Sequence, residues 1–159
     1  MIIGVVSDTH SREVPKQLLA DFKKVDFIIH AGDFCSSEDY QQFTKLKDVK
    51  AVFGNMDDAK LRQQLPECEI FTCENVTIGI YHGHGPARGI IDAVKEKFSG
   101  KKLDVVVFGH SHQAFNETIG KTLFFNPGSP NDMITAPFCS YGLLEVSGSK
   151  VTGKIVKVK

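Results

Sequence analysis

Five apolar stretches of this chain each end abruptly in a polar cluster, and that recurrence limits the fold more than any other feature. Residues 1–6 run into Ser7-Asp8-Thr9-His10, 25–31 into Gly32-Asp33, and 49–53 into Gly54-Asn55. Residues 76–81 run into His82-Gly83-His84, and 103–108 into Gly109-His110-Ser111-His112. A run that is apolar without alternation, as at 2–6, suits a strand covered on both faces, and such strands need helices packed outside them.

The helices are marked between the strands. Val14, Leu18, Leu19 and Phe22 form a helical stripe over 14–23, and Ser36 or Ser37 can cap a helix running to about Lys45. A short helix or turn at 58–64 ends at Pro66, and strands at 69–73 and 76–81 are joined by a Glu74-Asn75 hairpin turn. Ile90, Ile91, Val94 and Phe98 share one face of a helix at 87–98, with Pro86 at its start and Gly100 at its end. The last third reads as strands at 114–118, 123–125, 138–146 and 151–156, taken as an antiparallel run. The expectation is one α/β (α+β) domain over 1–159, with two packed sheets flanked by helices.

At 159 residues the chain can bury roughly 70% of its unfolded surface and has no room for a second substrate domain. Nineteen basic residues cancel nineteen acidic ones, so attraction for a phosphate has to be local. No run approaches the ~20 residues of a membrane span, and a cytoplasmic protein with no membrane partner is expected. Cys35, Cys68, Cys73 and Cys139 form no paired pattern and are read as reduced. Cys35 is read as a small buried hydrophobe rather than a ligand, and the lysines at 150, 154, 157 and 159 as a solvated edge rather than a nucleic-acid patch.

Ligands of open α/β sheets bind beyond the carboxyl ends of the strands. Asp8, Asp33, Asn55, His82 and His110 all fall there. Singly they have plain explanations: a helix cap, a left-handed turn, a core histidine. Together they are metal-ligand types, and oxygen with imidazole favours a catalytic Mn, Fe, Co, Ni or Zn site over a closed structural zinc. A carboxylate such as Asp33 can place one oxygen on each of two ions about 3.5 to 4 Å apart. His30, inside a strand, reads as a core histidine, and Asp57 and Asp58 read as caps of the following helix.

In order and spacing, Asp8-x-His10, Gly32-Asp33, Gly54-Asn55, His82-Gly83-His84 and Gly109-His110-x-His112 resemble the calcineurin-like metallophosphoesterases, most of all their small single-domain bacterial and archaeal phosphodiesterases. Phe125-Asn126-Pro127-Gly128-Ser129 extends the likeness over nearly the whole chain. The resemblance implies a four-layer sandwich of two central mixed sheets flanked by helices. It implies one ion on Asp8, His10, Asp33 and His112, a second on Asp33, Asn55, His82 and His110, and in-line hydrolysis by metal-activated water. Two divalent transition ions, manganese foremost, are the expected cofactors, and a small phosphodiester is the expected substrate.

Met56 stands where larger relatives have a histidine that serves the leaving group. His84 is then either a proton source or a partner that orients His82. A eukaryotic retromer subunit resembles this fold as a scaffold with a degraded metal site, but Asp33 and Asn55 are both intact here. A nuclease would want a basic groove with stacking aromatics, and the chain has no Trp. A phosphomonoesterase with the same metal chemistry and a homo-oligomeric state are left open.

Overall fold

The computed structural model describes residues 1–159. Its strands are β1 (Ile2–Val6), β2 (Phe27–His30), β3 (Val49–Ala51), β4 (Cys68–Cys73), β5 (Val76–Tyr81), β6 (Val105–Val107), β7 (Phe115–Ile119), β8 (Thr122–Asn126), β9 (Ser140–Ser147) and β10 (Lys150–Lys157). The helices are α1 (Lys16–Phe22), α2 (Ser37–Thr44), α3 (Ala59–Gln64) and α4 (Ile90–Lys97). The strands form two five-stranded mixed sheets, ordered β10-β9-β1-β2-β3 and β4-β5-β6-β8-β7. No helix is long and apolar enough to cross a membrane.

Period-2 alternation sorts the strand residues into layers. Ile3, Val5, Ile29, Ile78, Ile80, Val105, Val107, Leu144 and Val146 meet between the two sheets. The alternate residues Val6, Ile28 and Tyr141 pack outward with Leu18 and Phe22 of α1, Phe43 of α2 and Leu61 of α3. On the other side Tyr81, Val106, Phe108 and Phe124 pack against Ile90 and Val94 of α4. Helix, sheet, sheet and helix make the four expected layers.

Local signals set the helix starts. Ser36 caps α2 by accepting the Asp39 amide, and Asp58 caps α3 by accepting the Leu61 amide at 2.8 Å. Asp57 departs from expectation and caps nothing. The predicted helix at 87–98 is a 3-10 turn, Ala87–Gly89, followed by α4, because Gly89 lies at φ −101° and ψ 7° and has no side chain to cap with.

The last third is not one antiparallel run. β8 pairs parallel to β6, with β7 antiparallel at the edge of the second sheet, whereas β9 returns to the first sheet between β1 and β10. The exposed lysines at 150, 154 and 157 lie on the edge strand β10, and Asn116 of β7 donates to the Gly153 carbonyl there at 2.7 Å.

Candidate metal centre

β1, β2, β5 and β6 all point their carboxyl ends the same way, so the loops that follow them meet. The backbone turns sharply there. Asp8, His10, Ser11, Asp33, Cys35, His110 and His112 all have positive φ, between 50° and 73°. Left-handed backbone at non-glycine residues costs on the order of 1 kcal/mol or more each and persists only where the surroundings fix it.

The fixing bonds run between loops. The Asp8 amide donates to the Gly32 carbonyl and the His10 amide to the Asp33 carbonyl, both at 3.0 Å. The buried Asp57 carboxylate accepts the amides of Asp33 (3.0 Å), Cys35 (2.7 Å) and Gly54 (2.7 Å). It therefore joins the β2 and β3 loops rather than capping α3. Asn126 donates to the Gly109 carbonyl at 2.9 Å, and Ser129 donates to the Asp8 carbonyl at 2.8 Å. The Phe125–Ser129 segment thus clamps the histidine loop onto the aspartate loop. The glycines ahead of the ligands have a steric reason: a Cβ at Gly54 would overlap the Asp33 carboxylate, and one at Gly109 would overlap the Ser7 hydroxyl.

One nitrogen of each clustered imidazole is occupied from behind. His82 Nδ1 meets the Ala31 carbonyl at 2.7 Å, and His110 Nε2 meets the Gly85 carbonyl at 2.7 Å. His112 Nδ1 meets Asp132 Oδ2 at 2.5 Å, and His10 Nδ1 meets Cys35 Sγ at 3.2 Å. A carbonyl or a carboxylate only accepts, so the N–H of the neutral ring sits on that side and the opposite nitrogen presents a lone pair.

The opposite nitrogens converge. His10 Nε2 and His112 Nε2 are 3.1 Å apart, and Asn55 Oδ1 lies 3.2 Å from His82 Nε2 and 3.0 Å from His110 Nδ1. Asp8 Oδ1 is buried with no hydrogen-bond partner, 3.4 Å from His112 Nε2, 3.8 Å from His82 Nε2 and 3.9 Å from His10 Nε2. With their other nitrogens bonded to carbonyls, neutral His82 and His110 both turn a lone pair on Asn55 Oδ1, an opposition of acceptors that a bound cation resolves, so the donor set fits a divalent ion. Two trios come within ligating range, Asp8 with His10 and His112, and Asp8 with Asp33 and His82.

Without a cation, protons fill the role. Burial works against charging His82, yet the Asp33 hydrogen bond and the Asp8 and Asp33 charges carry its pKa up to about 9. The Asp8 carboxylate, 3.4 Å away, leads in raising His112 to about 9. His10 goes the other way, lowered chiefly by burial. Burial opposes the charge on Asp33, but the His82 contacts and the Met56 amide hold its carboxyl below the usual range.

All seven expected ligands, Asp8, His10, Asp33, Asn55, His82, His110 and His112, meet at this place. Asp33 differs in one detail. Its Oδ1 accepts the Met56 amide at 2.7 Å, so Oδ2 alone faces both halves, 3.3 Å from His82 Nε2 and 3.8 Å from His10 Nε2. Met56 contributes its backbone, and its side chain is exposed. His84 is exposed and pairs with the Tyr81 hydroxyl at 2.9 Å; the Ala31 carbonyl, not His84, orients His82. Cys35 is half-buried behind His10 rather than in the core, and burial pushes its thiol up to about 11. His30 is a satisfied core histidine, stacked on Phe34 and bonded to Thr9 Oγ1 at 3.1 Å.

Sequence reasoning missed Asp132. An acid in a loop after Pro130-Asn131 carries no spacing signal, and only the fold places it behind His112.

A family model described as the calcineurin-like phosphoesterase superfamily domain matches residues 1–149. A probable metallophosphoesterase from Methanothermobacter thermautotrophicus is 34% identical over 99% of this chain and 92% of its own length. A phosphodiesterase from Methanocaldococcus jannaschii is 28% identical over 80% of this chain and 83% of its own. Among solved structures, Entamoeba histolytica Vps29 complexed with zinc superposes with a TM-score of 0.77 at 25% identity, covering 99% of both chains. The chain belongs to the calcineurin-like phosphoesterase superfamily.

Proposed function

We propose that this protein is a metal-dependent phosphodiesterase acting on small phosphodiesters in the cytoplasm, where its four cysteines stay reduced. In this reading Asp8, His10, Asp33 and His112 hold one divalent transition ion, and Asp33, Asn55, His82 and His110 hold a second. The observation that carries it is the buried, partnerless Asp8 Oδ1 among three imidazole nitrogens at 3.4 to 3.9 Å. Divalent ions bound there would polarise a phosphoryl oxygen and bring the pKa of water towards about 7.

The protein's part is to hold and to position. Asp33 Oδ2 reaches both halves while the Met56 amide fixes its rotation. Two divalent charges less the carboxylates of Asp8 and Asp33 leave a positive field, which suits a phosphodiester monoanion on a chain that is neutral overall. Relatedness to a protein named as a phosphodiesterase points the same way. With His82 oriented by a backbone carbonyl, we assign His84 to proton delivery to the leaving group.

The test is to measure metal in the purified protein, then compare an aryl phosphodiester with the matching monoester in added manganese. Bound metal with preferential diester turnover supports the proposal. Preferential turnover of the monoester makes it a phosphomonoesterase, cleavage confined to nucleic acid makes it a nuclease, and stoichiometric metal with no phosphoester turnover makes it a scaffold. His84→Asn is expected to slow alkyl diesters, which need a proton on departure, while sparing aryl ones.

A further inference from the structure

Three of the four clustered imidazoles are backed by neutral groups: the Ala31 carbonyl, the Gly85 carbonyl and the Cys35 thiol. His112 is backed by a carboxylate. Asp132 is itself buried, and every part of it is held. Its amide donates to Ser129 Oγ at 3.1 Å, and Ser129 is the residue bonded to the Asp8 carbonyl. Oδ1 accepts the amides of Ile134 (2.9 Å) and Thr135 (3.0 Å) and has Arg12 Nη1 at 3.8 Å; Oδ2 accepts His112 Nδ1 and the Thr135 hydroxyl. Asn131 donates to the Thr9 carbonyl at 3.0 Å, so the whole turn is pinned to the aspartate loop.

From this we infer that Asp132 is a positioning residue that presents His112 Nε2 to a divalent cation shared with Asp8 and His10, and so sets the affinity of that half of the centre. The inference rests on the metal-centre reading and adds to it a residue outside the seven ligands. A carboxylate behind an imidazole fixes the ring, keeps the proton on the far nitrogen and raises the basicity of the near one. Removing such a partner typically costs 10-fold to 100-fold in metal affinity.

Asp132→Asn separates this role from folding. The asparagine Oδ1 can keep the two turn amides, which puts an NH2 donor where Oδ2 faced His112. The neutral ring then moves its proton to Nε2, the atom that has to bind metal. Calorimetric titration with manganese alone, and separately with zinc alone, is expected to show a 10-fold to 100-fold loss at one class of site, with thermal unfolding of the metal-free protein little changed. Nitrogen NMR of the metal-free protein in alkaline buffer is expected to show His112 protonated on Nδ1 in the parent and on Nε2 in the variant.

Parental affinity in Asp132→Asn, or an unmoved His112 proton, overturns the inference. Equal loss at every ion overturns it too, since that is the mark of general loosening. Absence of turnover on every phosphoester overturns only the phosphodiesterase reading, because the affinity and tautomer measurements need no substrate.

Discussion

The two ends of the sandwich use carboxylates in the same way up to a point. At the amino ends of the parallel strands, Asp26 accepts the Ile2 amide at 2.6 Å, Asp104 accepts the Thr77 amide at 2.7 Å and Glu74 accepts the Gly148 amide at 2.5 Å. At the carboxyl ends, Asp57 and Asp33 accept loop amides in the same manner. The amino end also has a cleft of about 630 Å³ lined by Met1, Asp26, Phe27, Asp48, Phe71 and Glu74 among others. It lacks histidine. The carboxyl end has left-handed backbone, converging imidazoles and, among them, the Asp8 oxygen that nothing satisfies. The candidate metal centre is marked by an unsatisfied acceptor among imidazoles.

The sharpest way to break that comparison is to neutralise the carboxylate that faces both halves. Asp33→Asn leaves an oxygen for the Met56 amide, so the fold should hold. Diester turnover should fall on the order of a thousandfold or more, several kcal/mol of transition-state stabilisation. A variant turning over the aryl diester at the parental rate would remove Asp33 from the chemistry.

The next effect is on stability. An ion that binds only the folded state stabilises it by roughly 3 kcal/mol at a hundred times its dissociation constant, and for a chain of this size that raises Tm by about 5 to 10 °C. Manganese should produce such a rise in the parent and a much smaller one in Asp8→Asn, and chelation should reverse it. An equal rise in both proteins would mean that the ion binds elsewhere.

These two ends were unequally legible in the sequence. The candidate ligands could be picked out because residue type and place at a strand end are one-dimensional facts. The sheet to which β8 and β9 belong is not such a fact, because alternation says which face of a strand is apolar and nothing about its partner. What stands behind each imidazole was hidden for a related reason. Gly83, at φ +102°, turns the chain between His82 and His84, so a histidine two residues away goes out to Tyr81 while a carbonyl from position 31 takes its place. Asp57 and Asp132 are acids in loops, and only the folded backbone shows which amides and rings they reach.

A smaller effect belongs to Asp39, which lies behind the aspartate loop. Thr9 donates to its Oδ2, and its Oδ1 is buried without a partner. Burial pushes its carboxyl up to about 6 from 3.8. The folded protein therefore holds that proton more tightly than the unfolded chain, and stability falls as pH rises from about 4 through 6. Asp39→Asn removes this dependence. In chelator, the variant should gain roughly 1 to 3 kcal/mol on the parent between pH 4 and pH 7 by denaturant unfolding. A difference that does not change with pH would mean that Asp39 is ionised as easily folded as unfolded.

The smallest effect tests the amino end. Asp104→Ala leaves the Thr77 amide, just before the β5–β6 pairing starts at Ile78, without its side-chain acceptor. Because that contact is exposed, water can replace it, and the loss should be about 1 kcal/mol or less. The manganese-induced rise in Tm and the kcat/KM for the diester should both stay at parental values. If removing an acid from the amino end lowered metal affinity or turnover as far as the metal-centre substitutions do, the division between a structural end and a chemical end would fail. The two sheets would then have to transmit strain along their full length, and the partnerless oxygen of Asp8 would no longer be enough to say where the chemistry lies.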